Sequence, residues 1–160
     1  ANITPMRFGA HHEEGTAWLA LPTAEQYPRV EQTPDDTGKM SIYGPSGVKQ
    51  EQIELRRLDS LLASGAIEGR VSLLKRDVEG NEFNALRGAA AILREHLPTV
   101  IAEINPPLLK LSGRSYEDIA GLLGELGYTP HVYRHGGLVA HEEGVEANTD
   151  IVFLPPRTSA

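Results

Sequence analysis

This chain predicts an α/β domain with a mainly parallel sheet, and three features carry the prediction. From residue 52 onward, short apolar runs alternate with stretches of helical periodicity, the strand–helix–strand order of α/β domains. Two of those runs, 71–74 and 99–102, are continuously apolar, as strands covered on both faces are. The stretches 79–96 and 115–127 place apolar residues along one helical face.

Residues 1–22 read as β. Ile3, Met6 and Phe8, then Ala17, Leu19 and Leu21, are separated by the polar turn His11–Gly15. Residues 22–50 hold prolines and glycines with few aliphatics, so a long loop is expected there, either a lid or a floppy insertion. Residues 52–57 alternate, with Ile53 and Leu55 on one side, giving a half-exposed strand. Leu58, Leu61 and Leu62 fit a short helix ended by Ser64-Gly65. Val71–Leu74 is a strand. Phe83, Leu86, Ala90, Leu93 and Leu97 then form the stripe of one helix from Glu79 to His96, stopped by Pro98. Thr99–Ala102 is the next strand. Ser115 and Asp118 form a capping-box pattern, with Asp in place of the usual Glu or Gln. The helix they open carries Ile119, Leu122, Leu123 and Leu126 and ends at Gly127. His131–Arg134, a Gly136-Gly137 turn and Leu138–Ala140 form an antiparallel hairpin. Asp150–Leu154 is the last strand.

A length of 160 residues suits one domain with a real core, here read as spanning 1–160. With 15 Lys and Arg against 22 Asp and Glu, the net charge is −7, and no basic stripe is present. That balance argues against nucleic acid and anionic membranes as partners. The absence of cysteine removes disulfides, thiolate metal sites and thiol nucleophiles, and fits a cytoplasmic location. No apolar run approaches the roughly 20 residues of a membrane span.

In open α/β sheets, ligands sit beyond the carboxyl ends of the strands. Two strands here run into acids. Leu74 leads to Lys75-Arg76-Asp77-Val78-Glu79, and Ala102 leads to Glu103-Ile104-Asn105. If the strands are neighbours, Asp77, Glu79, Glu103 and Asn105 converge on one crevice. There they could bind hydroxyls, take a proton or ligate a hard cation. Plainer roles compete. Asp77 could cap the following helix, and Glu79 and Glu82 could answer its dipole. Asn105 before two prolines could be a turn residue. Glu103 resists such an account, because a carboxylate ending an apolar strand needs a partner. The six histidines are scattered without metal-ligand spacing, and no metal site is expected.

The stretch Lys75-Arg-Asp-Val-Glu-Gly-Asn-Glu, then Leu86-Arg-Gly-Ala, then a Pro98-led strand ending in Glu103, resembles the FkbM family of S-adenosylmethionine-dependent methyltransferases. Leu58-Asp59-Ser60-Leu61 and Glu14-Gly15-Thr16-Ala17 are similar to two further segments of that family. The resemblance implies a partial Rossmann-like class I methyltransferase fold and S-adenosylmethionine as cofactor. It implies methyl transfer to a hydroxyl oxygen of a small-molecule or carbohydrate acceptor. Gly9, Ala10 and His11 would lie near the adenine, and Asp77 near the methyl group. Asp77, Glu79 and Glu103 would be the catalytic candidates. A magnesium-dependent variant through Asp77, Glu103 and Asn105 matches poorly in ligand type and spacing.

Two departures stand out. Arg76 occupies a position where the family places an aliphatic residue, so it must pair with an acid or reach solvent. The family's Gly-rich cofactor turn is absent from the sequence. The chain therefore reads as the C-terminal part of such a fold, a fragment expected to bind cofactor weakly or not at all alone. Its Val71–Leu74 strand would be left at an edge, completed by a second copy or a further chain segment. A non-catalytic remnant and an unrelated α/β enzyme using a carboxylate pair are the competing classes.

Overall fold

The computed structural model describes residues 3–20, 42 and 50–157. They form two sheets and five short helices. In the smaller sheet, β3 (Gln50–Arg56) is central, parallel to β1 (Gly9–Ala10) and antiparallel to β2 (Gly15–Ala20). The expected strand over Ile3–Phe8 is absent, since only Gly9 and Ala10 reach the ladder. Most of the expected lid over 22–50 lies outside the described residues.

The second sheet has the order β4-β5-β8-β6-β7, with β4 (Leu73–Arg76), β5 (Thr99–Ile104), β6 (Thr129–Arg134), β7 (Gly137–Ala140) and β8 (Thr149–Leu154). It is mixed, which corrects the mainly parallel expectation. β4 and β5 pair in parallel, whereas β5–β8, β8–β6 and β6–β7 are antiparallel. The reason is the last strand, which inserts between β5 and β6 and runs against both. β4, β5 and β6 still share one direction. The hairpin is present, but its turn is His135-Gly136, both with positive φ (52° and 84°), one residue earlier than expected. Two left-handed central residues match the twist of the flanking strands.

The helices are α1 (Leu58–Ala63), α2 (Glu82–Arg87), α3 (Ala90–Glu95), α4 (Pro106–Leu111) and α5 (Tyr116–Gly124). The single helix expected over 79–96 is two. It breaks at Gly88, where an added Cβ would stand 2.0 Å from the carbonyl oxygen of His11. Asp59, from α1, then accepts the Ala91 and Ile92 amides at 3.0–3.1 Å and starts α3 afresh. α5 opens with the expected capping box, Ser115 and Asp118 each accepting the other's backbone N–H.

The core is one-sided. Leu74, Val100, Ala102, Ile104, Val132, Ile151 and Phe153 face Leu86, Ile92, Leu93, Leu109, Ile119 and Leu123 from the helices. Each such aliphatic or aromatic side chain buried on folding is worth about 1.5–3 kcal/mol. Alternate residues point the other way, where Leu73 is 55% and Tyr133 70% exposed. The expectation of a sheet covered on both faces is thus not met by the described residues. β4 also starts two residues later than the apolar run. The amide of Val71 donates to Nδ1 of His96, and the strand continues instead through Lys75 and Arg76.

Candidate active site

β4 delivers the chain into a tight loop, Asp77–Asn81. Glu79 is left-handed (φ 51°) and Gly80 follows at φ 98°. Only glycine fits at residue 80, because a Cβ would stand 2.7 Å from the carbonyl oxygen of Leu108. Oε1 of Glu82 accepts the Val78 and Gly80 amides, both at 3.2 Å. Nδ2 of Asn81 donates to the carbonyl of Ala10 at 2.8 Å, and Asn84 donates to Oδ1 of Asn81 at 3.1 Å. The loop after β4 is thereby bonded to β1 of the other sheet.

Between them lies a cavity of about 530 Å³, within the range of small-molecule sites. Its wall is apolar, formed by Met6, Phe8, Leu19, Ile53 and Leu55, and its rim carries Asp77, Glu79 and Asn81. Gly9 and Ala10 line it too. Gly9 is packed closely, since a Cβ there would meet Cδ1 of Ile53 at 2.8 Å. Arg7 pairs with Glu51 at the cavity's edge.

Asp77 also faces the end of β5. Its carboxyl and that of Glu103, which follow the paired residues Arg76 and Ala102, influence each other's titration. Nζ of Lys75 contacts Oδ2 of Asp77 at 3.0 Å, and Nδ2 of Asn148 donates to Oε1 of Glu103 at 2.7 Å. The Lys75 ammonium holds Asp77 below the usual carboxylate range, against partial burial. The Asn148 hydrogen bond pulls Glu103 down, but burial and the Asp77 charge outweigh it and leave Glu103 raised. The pair is therefore polarised, with Asp77 the more acidic member and Glu103 the member that keeps a proton longer. Asp150, opposite Glu103 across the β5–β8 ladder, adds a third negative charge.

Of the residues singled out in the sequence, Gly9, Ala10, Asp77 and Glu79 line one cavity, and Glu103 meets Asp77 beside it. His11 does not line it. Its ring packs on His12 at 4.4 Å between centroids, and its Nδ1 accepts the Glu13 amide at 3.2 Å. Burial, then the neighbouring His12, lower its pKa. Asn105 does not join the crevice as a ligand, because its side chain caps α4 by accepting the Leu108 amide. Among the described residues, no group of three or more His, Asp or Glu is placed to hold a metal ion. Lys75, Asn81 and Asn148 were not foreseen. Asn81 sits inside the distinctive stretch and so carried a signal, whereas Asn148 gave none.

Comparison with known proteins gives the family. The family described as the methyltransferase FkbM domain matches residues 1–130, and the chain belongs to that family. Among solved structures, it is similar to the methyltransferase FkbM from Methylobacillus flagellatus KT, with 22% identity and a TM-score of 0.42. That similarity covers 64% of this chain and 23% of the other, so the chain spans under a quarter of that protein's length. No curated protein matches the chain. No helix among the described residues is long and apolar enough to cross a membrane.

Proposed function

We propose that the chain forms the adenosine-side and acceptor-side walls of an S-adenosylmethionine-dependent methyltransferase acting on a hydroxyl of a small molecule or sugar. The observation that carries this reading is the shared cavity, in which β1 and the Asp77–Asn81 loop face each other and are tied by the Asn81–Ala10 hydrogen bond. The residues present suit the cofactor's adenosyl half. An apolar wall accepts a flat ring, and carboxylates at the rim favour a nearby sulfonium cation. Gly9 and Ala10 would border the ring, and Asp77 and Glu79 the ribose and sulfonium end. When bound, the cofactor supplies an electrophilic methyl group.

The remaining work falls to the chain's own side chains. Orienting the acceptor is the larger share, since methyl transfer depends on alignment. Asp77 is the candidate base, kept ionised by Lys75 and half exposed at the cavity rim. Glu103, beside it in the β4–β5 register and raised in pKa, can hold the proton that Asp77 gathers. Asn148 orients Glu103 for that exchange.

An amide-resonance titration of the chain with S-adenosylhomocysteine at millimolar concentration tests the reading, because it registers weak binding. Shifts are expected at Gly9, Ala10, Val78, Glu79 and Asn81. Shifts confined to other regions, or none, would remove it. In methyl transfer from labelled cofactor, Asp77→Asn should lower the rate by about 10²–10⁴-fold. Full activity in that variant would exclude Asp77 as base.

A further inference from the structure

We propose that Glu82 is a positioning residue for this cavity, a buried clamp that holds the backbone presenting Asp77 and Glu79, with the Arg76 guanidinium as its countercharge. The role rests on reading the cavity as the cofactor and acceptor site. Glu82 stands in the first turn of α2, where an exposed carboxylate would gain the helix dipole at little cost. Instead it is 2% exposed and turned back over the loop. One oxygen, Oε1, takes the amides of both Val78 and Gly80, so the loop curls around a single atom. That curl contains the two left-handed residues, Glu79 and Gly80. Left-handed backbone at a side-chain-bearing residue persists where its surroundings over-determine it, and the Glu82 carboxylate provides two of those constraints.

Arg76 completes the arrangement. It lies opposite Ala102 on the helix-covered face of β4 and is 3% exposed. Its Nη1 and Nη2 make no hydrogen bond, nor does Oε2 of Glu82. Each nevertheless acts on the other through charge. Burial lowers the Arg76 pKa to about 10 and raises that of Glu82, and each partner's charge opposes the shift. Among the described residues, Arg76 is the charged group that acts on Glu82, alongside the backbone N–H groups of Glu82, Gly80 and Val78.

The test uses Glu82→Met, Glu82→Gln and Arg76→Met in the full 160-residue chain. Two readouts apply, the Val78 and Gly80 amide resonances and S-adenosylhomocysteine affinity. Glu82→Met should move both resonances upfield and weaken binding by about tenfold or more, as loss of a supporting hydrogen-bond partner does around bound metals. Glu82→Gln keeps an acceptor oxygen and should restore both resonances. Arg76→Met should make the two resonances titrate at higher pH than in the unmodified chain. Unchanged resonances in Glu82→Met overturn the clamp, as does Glu82→Gln behaving like Glu82→Met. If Glu82→Met does not fold, Arg76→Met decides, and an unchanged titration counts against the pairing. If the unmodified chain shows no response to S-adenosylhomocysteine, the reading of the cavity falls, while the amide resonances still judge the clamp.

Discussion

Asp77 and Glu103, side by side where β4 and β5 end, are held by different partners, and that difference sets how each responds to acid. Lys75 lowers the Asp77 pKa. Its contribution to stability is therefore present above the ordinary carboxylate range and is lost as pH falls through the lowered value. Glu103 is shifted upward, with the Asn148 bond opposed and outweighed by burial and by Asp77. Its contribution is complete below its ordinary range and is lost as pH rises through the raised value. Glu103→Gln mimics the protonated form, keeps an oxygen for Asn148 and removes the repulsion. The melting temperature of Glu103→Gln minus that of the unmodified chain should thus grow as pH rises from about 4 to 8. Parallel melting curves across that range would show that the two carboxyl groups do not interact.

At the level of elements, the break between α2 and α3 is the most informative departure. The apolar stripe Phe83, Leu86, Ala90 and Leu93 runs unbroken through residues 88 and 89, so periodicity alone describes one helix. What interrupts it comes from elsewhere in the chain. The His11 carbonyl needs the space a Cβ would fill at Gly88, and Asp59 caps α3 from 32 residues upstream. Asp59→Ala should cost about 1–2 kcal/mol in urea unfolding, because two amides at the start of α3 lose their acceptor. Asp59→Asn, which keeps one oxygen, should cost less. Equal losses would mean the cap is not what starts the helix. Legibility of the candidate site divides along the same line, between local and long-range contacts. Asp77, Glu79, Gly9 and Ala10 could be placed because strand ends and family motifs are local signals. Asn81 bonding to Ala10 and Asn148 bonding to Glu103 span 71 and 45 residues, and no local pattern announces such pairs. Arg76 and Glu82 each looked unfavourable or ordinary alone, and only folding sets them against each other.

Across the whole molecule, the distribution of apolar surface is uneven. The helices pack against one face of the five-stranded sheet, and the opposite face carries Leu73, Tyr133 and Leu138 at 45–70% exposure. β4 also forms an edge of that sheet among the described residues, and an unpaired edge strand is a template for pairing with another chain. Lys75 tempers this edge, but its ammonium is engaged by Asp77. The chain is therefore expected to self-associate as its concentration rises, despite a net charge of −7. Leu73 offers a clean test, because more than half of its surface is already exposed and its side chain points away from the helix-packed core. Leu73→Lys should change stability by no more than about 0.5 kcal/mol, as exposed substitutions do. It should also shift sedimentation toward monomer, because a second positive charge beside Lys75 repels an incoming strand of the same kind. A loss of folding in Leu73→Lys would show that this face is packed rather than open. Unchanged association with folding intact would place the contact elsewhere, with the Tyr133 and Leu138 hairpin the next surface to alter.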